Sequence, residues 1–224
     1  MRYLFEAELK KKDNGYSATV PFNVWEVVKQ REAFKAEIVI SNEIIPCDLI
    51  PIEKGRYEIY FEAKDAAEFE EERAYEMLLH VHGSLAPMDG VSPYSIENPI
   101  RKIDGIDILV QDGDGLCGQT CVAMLAGVSI QDVCDVMNCR EWQATMGKLI
   151  SALNYYGIDH SDIIVYSTES EDVKLPKCAL MIEKLGRFGH YLVAYDGKFY
   201  DPNKGIMDEY DFTKLVGYLE IKCD

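Results

Sequence analysis

Residues 189–203 read GHYLVAYDGKFYDPN, and this stretch decides the predicted fold of the second half of the chain. Asp196-Gly197 stands between two apolar runs, a sequence typical of a two-residue turn in a β-hairpin. With these two residues as the loop, Tyr195 pairs with Lys198. The hairpin therefore predicts an antiparallel sheet around this stretch.

Three helices are predicted before this hairpin, over residues 117–125, 130–137 and 146–156. Ser129 and Thr145 are suited to cap the second and third helices, and Gly157 stands where a helix often ends in a glycine. Further strands are predicted over residues 163–166, 179–183, 191–195, 198–200 and 216–221. Helices followed by an antiparallel sheet indicate the α+β class.

The first part of the chain is predicted to be almost entirely β. Its strands are expected over residues 2–9, 16–20, 36–40, 44–50, 56–63 and 74–82, with Asn14-Gly15 as a hairpin turn and a short helix over 24–29. Six short strands predict a small β-barrel or sandwich over residues 1–83. Residues 84–99 hold three prolines and form the expected linker to a second domain, residues 100–224.

Cys117 is the candidate nucleophile. It follows the glycine-containing stretch QDGDGL (111–116) and opens an apolar helix. A thiol at a helix N-terminus experiences the positive partial charge of backbone N–H groups, which favours the reactive thiolate. Gly118 would leave room for a substrate backbone. The alternative is that Cys117 is a small buried apolar residue, the usual fate of a lone cysteine.

His190 is the candidate partner of this thiol. Counting outward from the predicted turn places His190, Asp201 and Asn203 on one face of the hairpin, with Asp201 diagonal to His190 and within reach of it. A base that is held by a third group is what an activated thiol requires. Asp201 is preferred as the third group, and Asn203 is kept as the alternative.

Together these two stretches resemble the papain-like cysteine peptidases, and most closely the bacterial branch that includes the bacteriocin leader peptidases (double-glycine peptidases). That branch has a glutamine six residues before a Cys-Gly pair that opens a helix, matched by Gln111 and Cys117-Gly118. It also has a Gly-His strand followed by a hairpin that ends in Asp-Pro, matched by Gly189-His190 and Asp201-Pro202. The resemblance covers about residues 100–222.

The resemblance implies a role for each matched residue. Cys117 would be the nucleophile, His190 the general base and acid, Asp201 the residue that orients it, and Gln111 an oxyanion donor beside the backbone N–H of Cys117. Gln119 departs from the family, in which proline is frequent at this position. Residues 20–24 (VPFNV) resemble a small bacterial β-barrel family of unknown function, which implies no chemistry.

Composition narrows the range of partners. The 224 residues carry 39 acidic and 23 basic side chains, a formal charge of -16, which argues against nucleic acid and against anionic membranes as partners. No apolar run is long enough to cross a membrane, and no signal peptide is recognisable, so a cytoplasmic protein is expected. Seven scattered cysteines do not suggest a disulfide framework.

Other candidates carry weaker signals. Cys117, Cys121, Cys134 and Cys139 have a spacing that suggests a zinc site, but three of the four fall inside predicted helices. Cys121 is a rival nucleophile one turn into its helix. His80 and His82 share a strand face, but no third metal ligand is visible. Trp25 and Trp142 are expected to be packing anchors, and residues 184–189 are expected to form a wall of a cleft.

The sequence thus predicts a thiol-dependent hydrolase that cleaves an amide or peptide bond through a thioester, with a peptide or protein as substrate and with no cofactor and no metal. Two alternatives remain open. The same residues could transfer an acyl group or deamidate glutamine, or the domain could be a non-catalytic binding module. The sequence does not address the oligomeric state or the role of the first domain.

Overall fold

The computed structural model describes residues 1–22, 32–53, 56–65, 69–70, 73–82, 91–167, 173–185 and 188–223. The fold is mixed α and β, with three α-helices and mostly antiparallel strands in the described residues, in agreement with the predicted α+β class. The chain divides into two compact units. The first comprises Met1–Ser84 and Asp162–Thr168, and the second comprises Leu85–Ser161 and Glu169–Asp224.

The first unit is built from strands. They are β1 (Arg2–Glu8), β2 (Lys10–Lys12), β3 (Gly15–Thr19), β4 (Phe34–Ile40), β5 (Glu43–Glu53), β6 (Arg56–Glu62), β7 (Ala74–His80) and β8 (His160–Tyr166). Their hydrogen-bonded order is β8-β1-β7-β4-β5-β6-β3-β2. Since only Leu9 separates β1 from β2, the run from Arg2 to Lys12 pairs with β7 at one end and with β3 at the other, which closes the sheet on itself.

Strand β8 has a partner that the sequence analysis did not predict. Ile163 and Ile164 lie parallel to β1, opposite Arg2 and Tyr3. The Arg2 guanidinium binds the Asp162 carboxylate at 2.6–3.0 Å. Such a parallel pairing joins residues 161 positions apart (Arg2 with Ile163), so it leaves no local signal in the sequence.

The predicted turn at Asn14-Gly15 is displaced by one residue. Lys12 pairs with Gly15, so the two loop residues are Asp13 and Asn14. Gly15 lies within β3, and the position requires glycine because a Cβ there would stand 2.1 Å from the Phe61 carbonyl oxygen. The predicted helix over 24–29 and Trp25 lie outside the described residues.

The core of the first unit is rich in aromatic side chains. Phe22 stacks on Tyr166 with ring centroids 3.8 Å apart, and Tyr3 stacks on Phe22 at 5.0 Å. Met77, Leu79 and Val81 are buried, whereas the side chains that alternate with them on β7 lie on the other face. That second face carries His80 and His82.

The second unit begins with three helices whose bounds lie within one residue of those predicted. They are α1 (Cys117–Ala126), α2 (Ile130–Met137) and α3 (Met146–Tyr155). Ser129 and Asp132 form the expected capping box of α2, and Thr145 caps α3. Gly157 takes the left-handed conformation (φ +70°), and a Cβ there would meet the Ser95 carbonyl oxygen at 2.3 Å.

An antiparallel sheet completes the second unit. Its strands are β9 (Cys178–Leu185), β10 (Phe188–Tyr195), β11 (Lys198–Asp201), β12 (Gly205–Met207) and β13 (Leu215–Ile221), in the order β12-β11-β10-β9-β13. Tyr195 pairs with Lys198 as predicted, and the loop residues Asp196 and Gly197 both have positive φ. Strand β12 was not predicted.

Within the described part of the chain, no single helix is long and apolar enough to cross a membrane. The sharply bent pair formed by α1 and α2 reaches that length and composition only when the two helices are counted together.

Candidate active site

The N-terminus of α1 places Cys117 at one side of a cleft. Cys117 is the first residue of the helix and is partly exposed, whereas the nine residues that follow it are buried. The first backbone N–H groups of a helix have no acceptor within the helix, so they present positive partial charge near this thiol. The N-cap residue, Leu116, makes no side-chain cap hydrogen bond that would shield them.

Strands β10 and β11 bring His190 and Asp201 together, as the hairpin predicts. The His190 Nε2 atom lies 2.9 Å from the Asp201 Oδ1 atom. His190 is 4% exposed and Asp201 is fully buried. A contact of this length between two buried groups fixes the plane and the direction of the imidazole ring.

The same ring lies near Cys117, which contributes to raising the pKa of His190 and lines the same cleft. Because Nε2 is used by Asp201, the nitrogen that remains for the sulfur is Nδ1. The ring of His190 is thus held by Asp201 on one side and is available to Cys117 on the other.

The protonation of this chain follows from its contacts. Burial lowers the pKa of His190, but the hydrogen bonds and charges of Asp201 and Cys117 outweigh burial and raise the pKa to about 9. For Asp201, burial acts in the opposite direction and raises the pKa, but the hydrogen bonds from His190 and from the Asn203 backbone lower it to about 2. Near neutral pH the pair is therefore an imidazolium and a carboxylate.

Two further groups hold the Asp201 carboxylate. The Asn203 backbone N–H donates to Oδ1 at 2.8 Å. The Lys204 ammonium lies 3.2 Å from Oδ2 and forms an ion pair with it. Lys204 is a contributor that sequence reasoning missed.

The Asn203 side chain does not orient His190, which was the alternative kept open in the sequence analysis. Its side-chain Oδ1 accepts a hydrogen bond from the Gln111 Nε2 group, and its side chain does not hold the His190 ring. Gln111 is fixed at two more points, since its backbone N–H donates to the Pro202 carbonyl at 3.0 Å and its Oε1 accepts from the Leu116 N–H at 2.7 Å. An amide NH₂ group has two N–H bonds, so one remains after the bond to Asn203.

Gly118 corrects the expectation that it gives room to a substrate. It is buried, and a Cβ at this position would meet the Ala144 Cβ at 2.9 Å and the Leu149 side chain at 3.1 Å. Its small size therefore serves the packing of α1 inside the unit. The neighbouring Gln119 is also buried and donates from Nε2 to the Arg140 carbonyl at 2.9 Å.

A cleft of about 220 Å³ opens beside these groups. It is lined by Gln111, Asp114, Gly115, Cys117, Trp142, Ala144, Leu185, Gly189, His190, Tyr191 and Asn203. Leu185 and Gly189 belong to the segment 184–189 that was predicted to form a wall, of which residues 186–187 lie outside the described part of the chain. The cleft thus combines polar groups at its base with apolar groups at its edges.

Trp142 is the site residue that sequence reasoning misjudged, since it was expected to be a packing anchor. It is 63% exposed at the edge of the cleft, and its φ of +60° is rare for a bulky residue. Its backbone N–H donates to the Gly115 carbonyl at 2.8 Å, and a Cβ on Gly115 would lie 2.7 Å from its ring. Exposure of a tryptophan cannot be read from the local sequence, because it depends on what the fold places over it.

The rival thiols do not share this environment. Cys121 is fully buried, and burial raises its pKa well above that of an ordinary thiol. The spacing of the four cysteines at 117, 121, 134 and 139 does not produce a metal site. Of all the described residues, only Glu37, His80 and His82 bring three candidate ligand atoms within 4.8 Å of one another.

Comparison with known proteins gives no relative from which a role could be transferred. A scan against models of protein families finds no match, and a search of curated proteins finds none either.

Proposed function

We propose that the second unit is a papain-like cysteine peptidase domain that hydrolyses an amide or peptide bond with Cys117 as nucleophile. The observation that carries the proposal is the 2.9 Å contact between the buried His190 ring and the Asp201 carboxylate, beside an open cleft that Cys117 and His190 line together. The order of three helices followed by an antiparallel sheet, and the residues Gln111 and Gly189-His190, support the papain-like resemblance.

The first step is attack on the substrate carbonyl. An imidazolium beside a thiol stabilises the thiolate, and the thiolate is the nucleophile. The Cys117 sulfur forms a bond to the carbonyl carbon, and the carbonyl oxygen takes up the negative charge. The remaining N–H of Gln111 and the backbone N–H of Cys117 are the proposed donors to that oxyanion.

The second step releases the amine. The His190 imidazolium gives its Nδ1 proton to the leaving nitrogen, the carbon–nitrogen bond breaks, and a thioester remains on Cys117. The neutral imidazole then takes a proton from water, whose oxygen attacks the thioester. The acid product leaves, the thiolate re-forms, and His190 is again protonated, held throughout by Asp201.

The walls of the cleft favour an acyl group with an apolar side chain. Trp142 and Leu185, which are 63% and 52% exposed, present apolar surface at its edge. Asp114 adds an acidic group to the lining, so a neutral or basic peptide is the favoured partner.

Alkylation tests the nucleophile without knowledge of the substrate. Cys117, Cys134 and Cys223 are all partly exposed, so the last two are internal controls for access. Treatment of the full chain with iodoacetamide at pH 6, followed by peptide mapping, is expected to label Cys117 first. His190→Gln should slow that labelling at least about tenfold. Equal rates at all three thiols would leave a non-catalytic binding module as the better description.

Ester turnover tests the reaction itself. A burst of p-nitrophenol from p-nitrophenyl acetate is expected for the wild type and for Cys134→Ala, and none for Cys117→Ala. Analysis of the products with and without an added amine then separates hydrolysis from acyl transfer. Turnover that survives Cys117→Ala would refute the proposal.

A further inference from the structure

The first unit holds a second cluster of reactive side chains, at the end of β7. His80 and His82 stand two residues apart and project to the same side of the sheet. Glu37 lies opposite His80 in the pairing of β4 with β7. We propose that Glu37, His80 and His82 form a binding site for a divalent late transition-metal ion such as Zn²⁺.

The spacing of the three ligand atoms suits such an ion. The Glu37 Oε2 atom lies 3.3 Å from the His82 Nε2 atom and 3.7 Å from the His80 Nδ1 atom. In a tetrahedral zinc site with bonds of 2.0–2.2 Å, neighbouring ligand atoms stand about 3.4 Å apart. Two of the three distances between ligand atoms therefore come close to the edge length of a metal tetrahedron, and all three atoms lie within 4.8 Å of one another.

The donor set selects the class of ion. Two imidazole nitrogens and one carboxylate oxygen suit Zn²⁺, Ni²⁺ or Cu²⁺, whereas Mg²⁺ and Ca²⁺ prefer oxygen ligands alone. The His80 and His82 rings lie 4.1 Å apart between centroids.

The residues around Glu37, His80 and His82 leave room and a suitable charge for a metal cation. All three side chains are partly exposed, so water can complete the coordination sphere. Arg2, which lies opposite His80 in β1, directs its guanidinium to the Asp162 carboxylate. That ion pair compensates the positive charge next to the cluster.

Zinc titration of the full chain, followed by the ring signals of its four histidines in NMR, tests the site. The signals of His80 and His82 are expected to shift together with one Zn²⁺ per chain. His160, which bonds the Ser161 carbonyl and the Asn154 side chain, has no place in the cluster and should not respond. Zinc that binds at Cys117 would instead move the His190 signal.

Two variants sharpen the result. Glu37→Gln keeps the length of the side chain but removes its charge, and it should weaken zinc binding by at least roughly tenfold. His160→Gln is the matched control and should bind like the wild type. The proposal is overturned if His80 and His82 stay unshifted up to millimolar Zn²⁺, or if Glu37→Gln leaves the affinity unchanged.

Discussion

Among the described residues, histidine and carboxylate side chains come together in two places, which differ in burial and in the number of rings that contact the carboxylate. In the second unit one buried carboxylate, Asp201, serves one buried ring, His190, at 2.9 Å. In the first unit one partly exposed carboxylate, Glu37, stands between two rings at 3.3 and 3.7 Å.

The difference shows how the environment of a histidine–carboxylate pair determines the chemistry for which the pair is suited. A dedicated acid raises the pKa of His190 to about 9, which keeps a proton on the ring that faces Cys117. In the exposed cluster, burial and the second ring lower the pKa of His80, which keeps the nitrogen open to a metal. One arrangement is suited to transfer a proton and the other to hold a cation.

The largest expected effect concerns the dedicated acid. Asp201→Asn preserves size but removes the charge that holds the imidazolium, and it is expected to lower kcat/KM for ester hydrolysis on the order of 10²–10⁴-fold. Asp208→Asn, an exposed acid of the same unit, is the control and should leave turnover unchanged. Unchanged kcat/KM in Asp201→Asn would refute the orienting role of Asp201.

The next largest effect tests whether Gln111 donates a hydrogen bond to the oxyanion or only supports the surrounding structure. Gln111→Glu keeps an oxygen for the Leu116 N–H but has no N–H for an oxyanion, and Gln111→Ala lacks both. Each variant is expected to lower kcat about 10²–10³-fold with little change in KM. Wild-type kcat in Gln111→Glu would show that Gln111 acts only as a structural support.

The third effect is on stability. His190 has a pKa of 6.5 when unfolded and about 9 when folded, so the stabilisation that its proton provides is complete below pH 6.5 and is lost as pH rises through 9. The change in unfolding free energy over that range is about 3 kcal/mol. Urea unfolding at a series of pH values should show this fall in the wild type and a flatter profile in His190→Gln.

The cluster of Glu37, His80 and His82 should give stability the opposite dependence on pH. Because the folded pKa of His80 is lowered, its contribution destabilises the protein as pH falls below the unfolded value of 6.5. His80→Gln is therefore expected to make the protein slightly more resistant to mild acid. The fall in unfolding free energy above pH 6.5 is assigned to His190. If His80→Gln reduced that fall, the assignment would be contradicted.

The smallest effect concerns the edge of the cleft. Trp142→Asn removes an exposed ring and replaces it with a residue that tolerates positive φ, so it is expected to raise KM for an ester with an aromatic acyl group by roughly tenfold or less and to leave Tm unchanged or higher. Calorimetry and initial rates measure the two quantities. A lower Tm would indicate that Trp142 is the packing anchor of the original interpretation.

Local signals were sufficient for much of the fold. The capping residues Ser129 and Thr145 located α2 and α3, and Asp196-Gly197 fixed the register of the hairpin that aligns His190 with Asp201. These predictions succeeded because a cap or a tight turn depends on a few consecutive residues. The same reasoning misplaced the turn near Gly15, where a close contact with Phe61 requires the glycine.

Tertiary structure decided the rest, because it joins residues that are distant in sequence. The sequence by itself determined the helices, the hairpin and the candidates Cys117, His190 and Asp201. Only the fold paired β8 with β1 and placed the Asn203 side chain where it bonds Gln111. It also left Trp142 exposed at the cleft and placed Glu37 beside the two histidines of the first unit. Each of these depends on packing between separate elements, which no local pattern encodes.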